Sequence, residues 1–148
     1  MSLMALIGCS VLLAGCASQS EVVFCPTISA PEEGARSFVR SDNTKQIFDI
    51  RLNGVNAVCT QHNSGGTMVA LSVGLKIKRS LAEGEANDVI AVPMMSAIVD
   101  ANQTVIDNQE FGYRVGFDKG SDRKFPVAEI EQLVPADARL VISLRPAY

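Results

Sequence analysis

One histidine, His62, and four cysteines, Cys9, Cys16, Cys25 and Cys59, are the side chains with which this sequence could begin soft-metal binding or nucleophilic catalysis. Cys59-x-x-His62 has a spacing at which a thiolate and an imidazole can share an ion, but no ligand cluster accompanies it, so it reads as half a metal site at most. Hydrolysis by a Ser-His-Asp arrangement would need His62 as its base. No Gly-x-Ser-x-Gly elbow offers a serine to it, and His62-Asn63-Ser64-Gly65-Gly66 is turn material in which a surface histidine is ordinary. The acid pairs Glu32-Glu33 and Glu83 with Glu85 fall in turn-rich segments, where solvated carboxylates are expected rather than general acids. The glycines after Ser64 lack the lysine and the helix that a phosphate-binding loop requires. The residues thus lead to an expectation of no catalytic group, no metal and no cofactor.

What the cysteines can be depends on where the chain resides, and the N-terminus bears on that. Residues 3–14 are uncharged, and the run passes through Gly15 and Cys16 into the polar stretch Ser18-Gln19-Ser20-Glu21. A membrane-spanning helix needs about 20 apolar residues. A secretory leader needs an apolar region of about 7–15 followed by small residues, and the run has that length. Leu13-Ala14-Gly15-Cys16 resembles the lipobox of bacterial lipoproteins, in which the cysteine thiol receives diacylglycerol, the leader is removed before it, and the new amino group is acylated. By that resemblance residues 1–15 are the leader, Cys16 is the lipidated first residue, residues 16–21 form a short linker and residues 22–148 form the folded domain. A rival box at Leu6-Ile7-Gly8-Cys9 would leave the apolar Ser10-Val11-Leu12-Leu13 at the new terminus. The competing view of residues 3–14 as a buried element has no alternation to support it. Ala17 and Ser18 after the cysteine, rather than an acidic residue, resemble the enterobacterial sorting pattern for the outer membrane.

With Cys9 removed and Cys16 acylated, Cys25 and Cys59 remain in an exported, oxidising compartment, where one bridge between them is expected. Two separate buried thiols, or an intermolecular bridge, are the alternatives.

The elements that would position these residues read as strands. Phe48, Ile50 and Leu52 alternate with Asp49 and Arg51, and Val69, Leu71, Val73, Leu75 and Ile77 alternate with small or polar residues, the period of a strand with one buried face. Asn53-Gly54 and the segment 62–66 supply positive-φ residues for hairpin turns. Residues 88–99 are a long apolar run in which Pro93 demands a sheet edge or a bulge. A turn follows at residues 100–103, with Asn102 the left-handed candidate, and then a strand in which Phe111, Tyr113, Val115 and Phe117 would supply the aromatic centre of the core. Residues 119–124 read as a solvated loop, residues 128–133 as a helical turn, and Leu140, Ile142 and Leu144 as the last strand. The segment before Phe48 is broken by Pro26, Pro31 and Gly34, with short strands expected around residues 22–28 and 35–39. Short strands and turn signals without a long helical pattern indicate an all-β fold, an antiparallel immunoglobulin-like β-sandwich, with a small β-barrel as the competing architecture.

The formal net charge is −3, and lysines and arginines look scattered along the chain, which argues against nucleic acid as a partner. The lipobox, Cys25-Pro26, the strand ending in Cys59, the strand from Leu71 to Ile77, and Pro93 to Asp100 followed by Phe111 to Phe117 together resemble a group of small, uncharacterised alphaproteobacterial envelope lipoproteins. The resemblance implies an exported, lipid-anchored β-sandwich and brings no activity with it. The function expected is therefore that of a lipid-anchored periplasmic binding or structural module. It would be held to the membrane through its anchor and would meet another envelope protein, complex or polymer through a loop set or a sheet edge; the charged residues 119–124 and the acidic residues 80–87 are the candidate loops. A small periplasmic hydrolase centred on His62 is the second reading.

Overall fold

A computed structural model describes residues 21–80 and 86–145. Its centre is the strand that alternates most cleanly, β4 (Thr67–Arg79), whose Val69, Leu71, Val73, Leu75 and Ile77 are all buried. Burying such side chains contributes roughly 1.5–3 kcal/mol each, which fixes the face that β4 turns inward. On one side it pairs antiparallel with β3 (Ile47–Gln61) along almost its whole length. On the other side it pairs with β8 (Val127–Val134) and then β7 (Arg123–Lys124), the Pro126 carbonyl accepting from the Leu75 amide between them. Adding β2 (Arg36–Arg40) beside β3 completes a five-stranded sheet. The second sheet has the order β1 (Ile28–Ser29), β9 (Arg139–Leu144), β5 (Asp88–Val99), β6 (Val105–Phe117), antiparallel throughout except that β1 runs parallel to β9. Phe48, Ile50 and the inward face of β4 meet Ile90, Val92, Met94, Leu140, Ile142 and Leu144 in one core, so the all-β sandwich follows from the alternation.

Several local expectations turn out differently. Asn53-Gly54 is a bulge inside the continuous strand β3, not a turn: the register with β4 shifts between Leu52 and Val55, and Gly54 takes the extra residue at φ 99°. Gly74 lies opposite, where an added Cβ would stand 2.6 Å from the Asn53 carbonyl oxygen. The β3–β4 turn is the segment 62–66, closed by Gly65 and Gly66 at positive φ. In the turn at residues 100–103 the left-handed residue is Gln103 (φ 65°), because the Asp100 carboxylate accepts from the Asn102 and Thr104 amides and closes the loop one residue later. Residues 128–133 extend as part of β8, since the open edge of β4 satisfies their backbone and alternation buries Ala128, Gln132 and Val134. The aromatic contact of the core pairs Phe117 with Phe48 on β3, ring centroids 5.0 Å apart, while Phe111 and Tyr113 are only half-buried. Of the strand expected around residues 22–28, only a bridge from Val22 to Thr60 and the short β1 form.

Pro93 occupies neither an edge strand nor a bulge. It sits within β5, between β9 and β6, opposite Gly112. Its carbonyl accepts from the Arg145 amide at 2.9 Å, one step past the last β5–β9 ladder pair, Met94 with Leu144. The Arg145 carbonyl, which an N–H at position 93 would otherwise engage, accepts instead from the Ser37 hydroxyl of β2 at 2.7 Å. A proline is tolerated there because a serine from the other sheet replaces its missing donor.

Two buried charged residues close the end of the sandwich opposite the β3–β4 turn. Arg79, at the end of β4, donates to the carbonyls of Ser121 (2.7 Å), Asp118 (2.7 Å) and Ala86 (2.9 Å) and lies over the Phe117 ring. The segment read as a solvated loop is thus gathered around a guanidinium and continues into β7. Asp88, at the start of β5, accepts from the Ser41 hydroxyl at 2.7 Å, the Thr44 hydroxyl and the Val89 amide at 2.8 Å, joining the β2–β3 turn to the other sheet. Burial pushes the Asp88 carboxyl up, but the hydrogen bonds from Thr44, Ser41 and Val89, with the charge of Arg79, outweigh it and hold the group below the ordinary carboxylate value. A carboxyl lowered by folding stabilises the native state fully above its unfolded pKa of about 3.9, and the contribution is lost as pH falls through the folded value. Asp88→Asn should therefore cost about 2 kcal/mol at neutral pH and lose less stability than the wild type on acidification, as measured by urea melts from neutral to acid pH. Parallel acid limbs in the two proteins would contradict this.

Candidate functional site

Cys16 lies outside the described residues, as do Cys9, Glu83 and Glu85. Cys25 and Cys59 are joined in a disulfide that spans 34 residues, with Cys59 buried on the inward face of β3. The Cys59 sulfur is therefore not free to ligate a metal with His62, and no cluster of three or more metal-ligating side chains occurs among the described residues. His62 is in the β3–β4 turn, where Nδ1 accepts from the Ser64 amide at 3.3 Å and lies 2.7 Å from the Ser64 hydroxyl. No carboxylate contacts the ring among the described residues, so the third member of a triad is not brought to it. Glu32 and Glu33 are exposed in a single 3-10 turn. Met94 is core and Met95 half-buried.

The structure instead brings together residues that are far apart in the sequence. On β2, β3 and β4 the side chains of Ser37, Ile50 and Ile77 point inward, so their neighbours point out. The register places Arg36 beside Arg51 and Arg51 beside Lys76; one step along, Phe38 is beside Asp49, Asp49 beside Lys78 and Lys78 beside Arg123; one step further, Arg40 faces Ile47. Six cations thus share one end of the outer face of the five-stranded sheet, in a protein of formal net charge −3. Asp49 is the carboxylate at their centre. Arg36 donates to both its oxygens, at 2.9 and 3.0 Å, and Arg51 Nη2 donates at 3.2 Å. The Arg36 hydrogen bonds, assisted by Arg51 and opposed by partial burial, hold the Asp49 carboxyl below its ordinary value. Arg36 also stacks over the exposed Phe38 ring, 4.6 Å from its centroid.

Asp49 thereby holds two guanidinium groups in place, while Lys76, Lys78 and Arg40 have no ion-pair partner among the described residues. Asp49, Arg51, Lys76 and Lys78 line a depression of about 80 Å³. Neighbouring strands lie about 4.8 Å apart and alternate residues about 7 Å apart, so several cations can meet one anionic group or a row of them. Such an arrangement binds phosphate or carboxylate by charge and hydrogen bonds without any covalent step.

No family model matches the chain, and neither the curated proteins nor the solved structures include a significant match.

The cationic face corrects the impression that lysines and arginines are scattered. They are scattered in sequence and adjacent in the sheet. The available signal was the phase of alternation: Arg36-x-Phe38-x-Arg40, Asp49-x-Arg51 and Lys76-x-Lys78 all fall on the polar phase of their strands. Knowing that these three segments are neighbours requires the β2–β3–β4 register, which the bulge at Gly54 helps to set.

Proposed function

We propose that this chain is a lipid-anchored module on the periplasmic side of a bacterial cell envelope, more specifically of the outer membrane, and that it works by binding another envelope component. The observation that carries the reading is the Cys25–Cys59 disulfide, which ties the segment immediately after the linker into the sandwich. Such bridges persist in exported compartments, and the lipobox-like Leu13-Ala14-Gly15-Cys16 supplies the matching address. A sandwich with a cationic face is suited to recognition, and that face, which includes Arg123 from residues 119–124, is the contact region in this reading.

Anchoring is tested by fractionation. Wild-type protein should partition into detergent and carry the added mass of acyl chains at Cys16, and Cys16→Ser should yield an unacylated chain. Wild-type protein in the aqueous phase with an unmodified Cys16 would overturn the anchored reading. Binding is tested by co-purification from detergent-solubilised membranes: the wild type should recover a partner that a Lys76→Glu/Lys78→Glu variant loses, and equal recovery by both would remove the cationic face from the reading.

A further inference from the structure

We infer that the outer face of the five-stranded sheet lies against a bilayer bearing anionic phosphate headgroups, along a band that follows β3. The cations at one end of this band are interleaved with apolar side chains that face solvent, Phe38 and Ile47, the latter 61% exposed. Val58, 60% exposed, continues the apolar line along β3. At the other end Val22 bridges to Thr60, the outward neighbour of buried Cys59, so Val22 shares the same face; Phe24, two residues on, is fully exposed. Cations beside protruding aliphatic and aromatic groups are the composition of a surface that rests in the headgroup region, because the apolar groups enter the interface while the cations stay with the phosphates. A soluble polyanion would make use of the cations and leave Ile47, Val58 and Phe24 in water.

Chain length and charge placement agree with this orientation. From Thr60 back to Arg51 the strand covers roughly 25–30 Å, so a plane laid on β3 reaches both the entry of the chain and the cations. Five residues, 17–21, separate Cys16 from Val22, and the six steps between them reach at most roughly 22 Å, which keeps that entry close to whatever membrane holds Cys16. Besides Asp49, which is paired with Arg36 and Arg51, this face carries Glu129 and Glu131 on β8, at the opposite edge of the sheet from β2 and the Val22 bridge. Sheet twist turns that edge away from a plane laid along β3. The inference rests on the envelope reading for the identity of the bilayer and for the reach from Cys16, while the pattern of cations and apolar groups stands without it.

The described strands and the disulfide lie within residues 22–145, so they are retained in a chain of residues 17–148 that has no leader and no acyl group. This chain should float with vesicles of phosphatidylglycerol and phosphatidylcholine, be released by high salt, and ignore vesicles of phosphatidylcholine alone. Arg40→Glu/Lys76→Glu/Lys78→Glu should weaken flotation at least about tenfold, whereas Arg114→Glu on the other sheet should not, with thermal melts confirming that both variants fold. The chain contains no tryptophan, so Val58→Trp is a single reporter. Its emission should shift to the blue on anionic vesicles, while that of Ile106→Trp, on the edge of the other sheet, should not. No flotation of the wild type, a shift at position 106 but not 58, or binding to soluble polyphosphate with none to vesicles would each overturn the inference. Because the test chain has no anchor, such a failure leaves the anchored reading standing, and an unmodified Cys16 in the full chain leaves this one standing.

Discussion

Arg79→Met is expected to destabilise the fold by about 4 kcal/mol. The guanidinium is 5% exposed and satisfies three carbonyls from two chain segments, at residues 86 and 118–121. Each hydrogen bond to a charged group contributes about 1.5–3 kcal/mol, and methionine preserves much of the packing on Phe117 while leaving the Ser121 and Ala86 carbonyls without a donor; the Asp118 carbonyl keeps the Ser121 amide at 3.0 Å. The total stays below the sum of the three because water reaches part of the opened end. Arg79→Lys should recover only part of the loss, since an ammonium is compact and cannot fork to three acceptors as a planar guanidinium does. The charge of Arg79 also helps to lower the Asp88 carboxyl, so Arg79→Met should raise the pH at which acid begins to unfold the protein. Urea melts at neutral and mildly acid pH measure both effects. A loss below about 1 kcal/mol, typical of a surface ion pair, would mean that these carbonyls find equal partners without the arginine.

Cys59→Ser is expected to cost about 3–4 kcal/mol and to lower the melting temperature by roughly 10 °C. A cross-link that closes a loop of 34 residues restricts the unfolded chain by about this amount in the chain-entropy account. Besides the disulfide, the N-terminal segment before β1 is tied to the sandwich by the Val22–Thr60 bridge, with the Val23 amide donating to the Cys59 carbonyl and the Gln61 amide to that of Glu21, by the Leu140 amide donating to the Thr27 carbonyl, and by Val23 packing on the core. Cys25→Ser loses the same cross-link but places its hydroxyl at an exposed site, whereas Cys59→Ser puts one in the core beside Val69. The Cys59 variant should therefore be the less stable of the two, by about 1 kcal/mol. In a chain of residues 17–148, denatured without reductant, a thiol probe should label neither residue, and reduction should expose both. Labelling before reduction, or two variants as stable as the wild type, would show that the bridge does not contribute.

The sequence alone determined the class of fold and most of its core, because burial of one face imposes a period of two that any strand must display. Phe48, Ile50, the five alternating residues Val69, Leu71, Val73, Leu75 and Ile77 of β4 and the alternating residues of β9 were legible in this way, and all are buried. The same local reading failed where partners at long range decide the backbone. Residues 128–133 carry Gln132 where alternation would put an apolar residue, and become a strand because β4 offers an open edge. Asn53-Gly54 suits a turn by composition and becomes a bulge because β3 and β4 pair on both sides of it. Pro93 sits within an interior strand because Ser37, more than fifty positions away, takes over the acceptor it leaves. The chemistry of the candidate site followed the same division. His62, the cysteine pair and the lipobox-like run could be named from residue type and spacing. The cationic face could not: its residues come from four strands, and what joins them is register, a property of pairing between strands that no segment carries by itself.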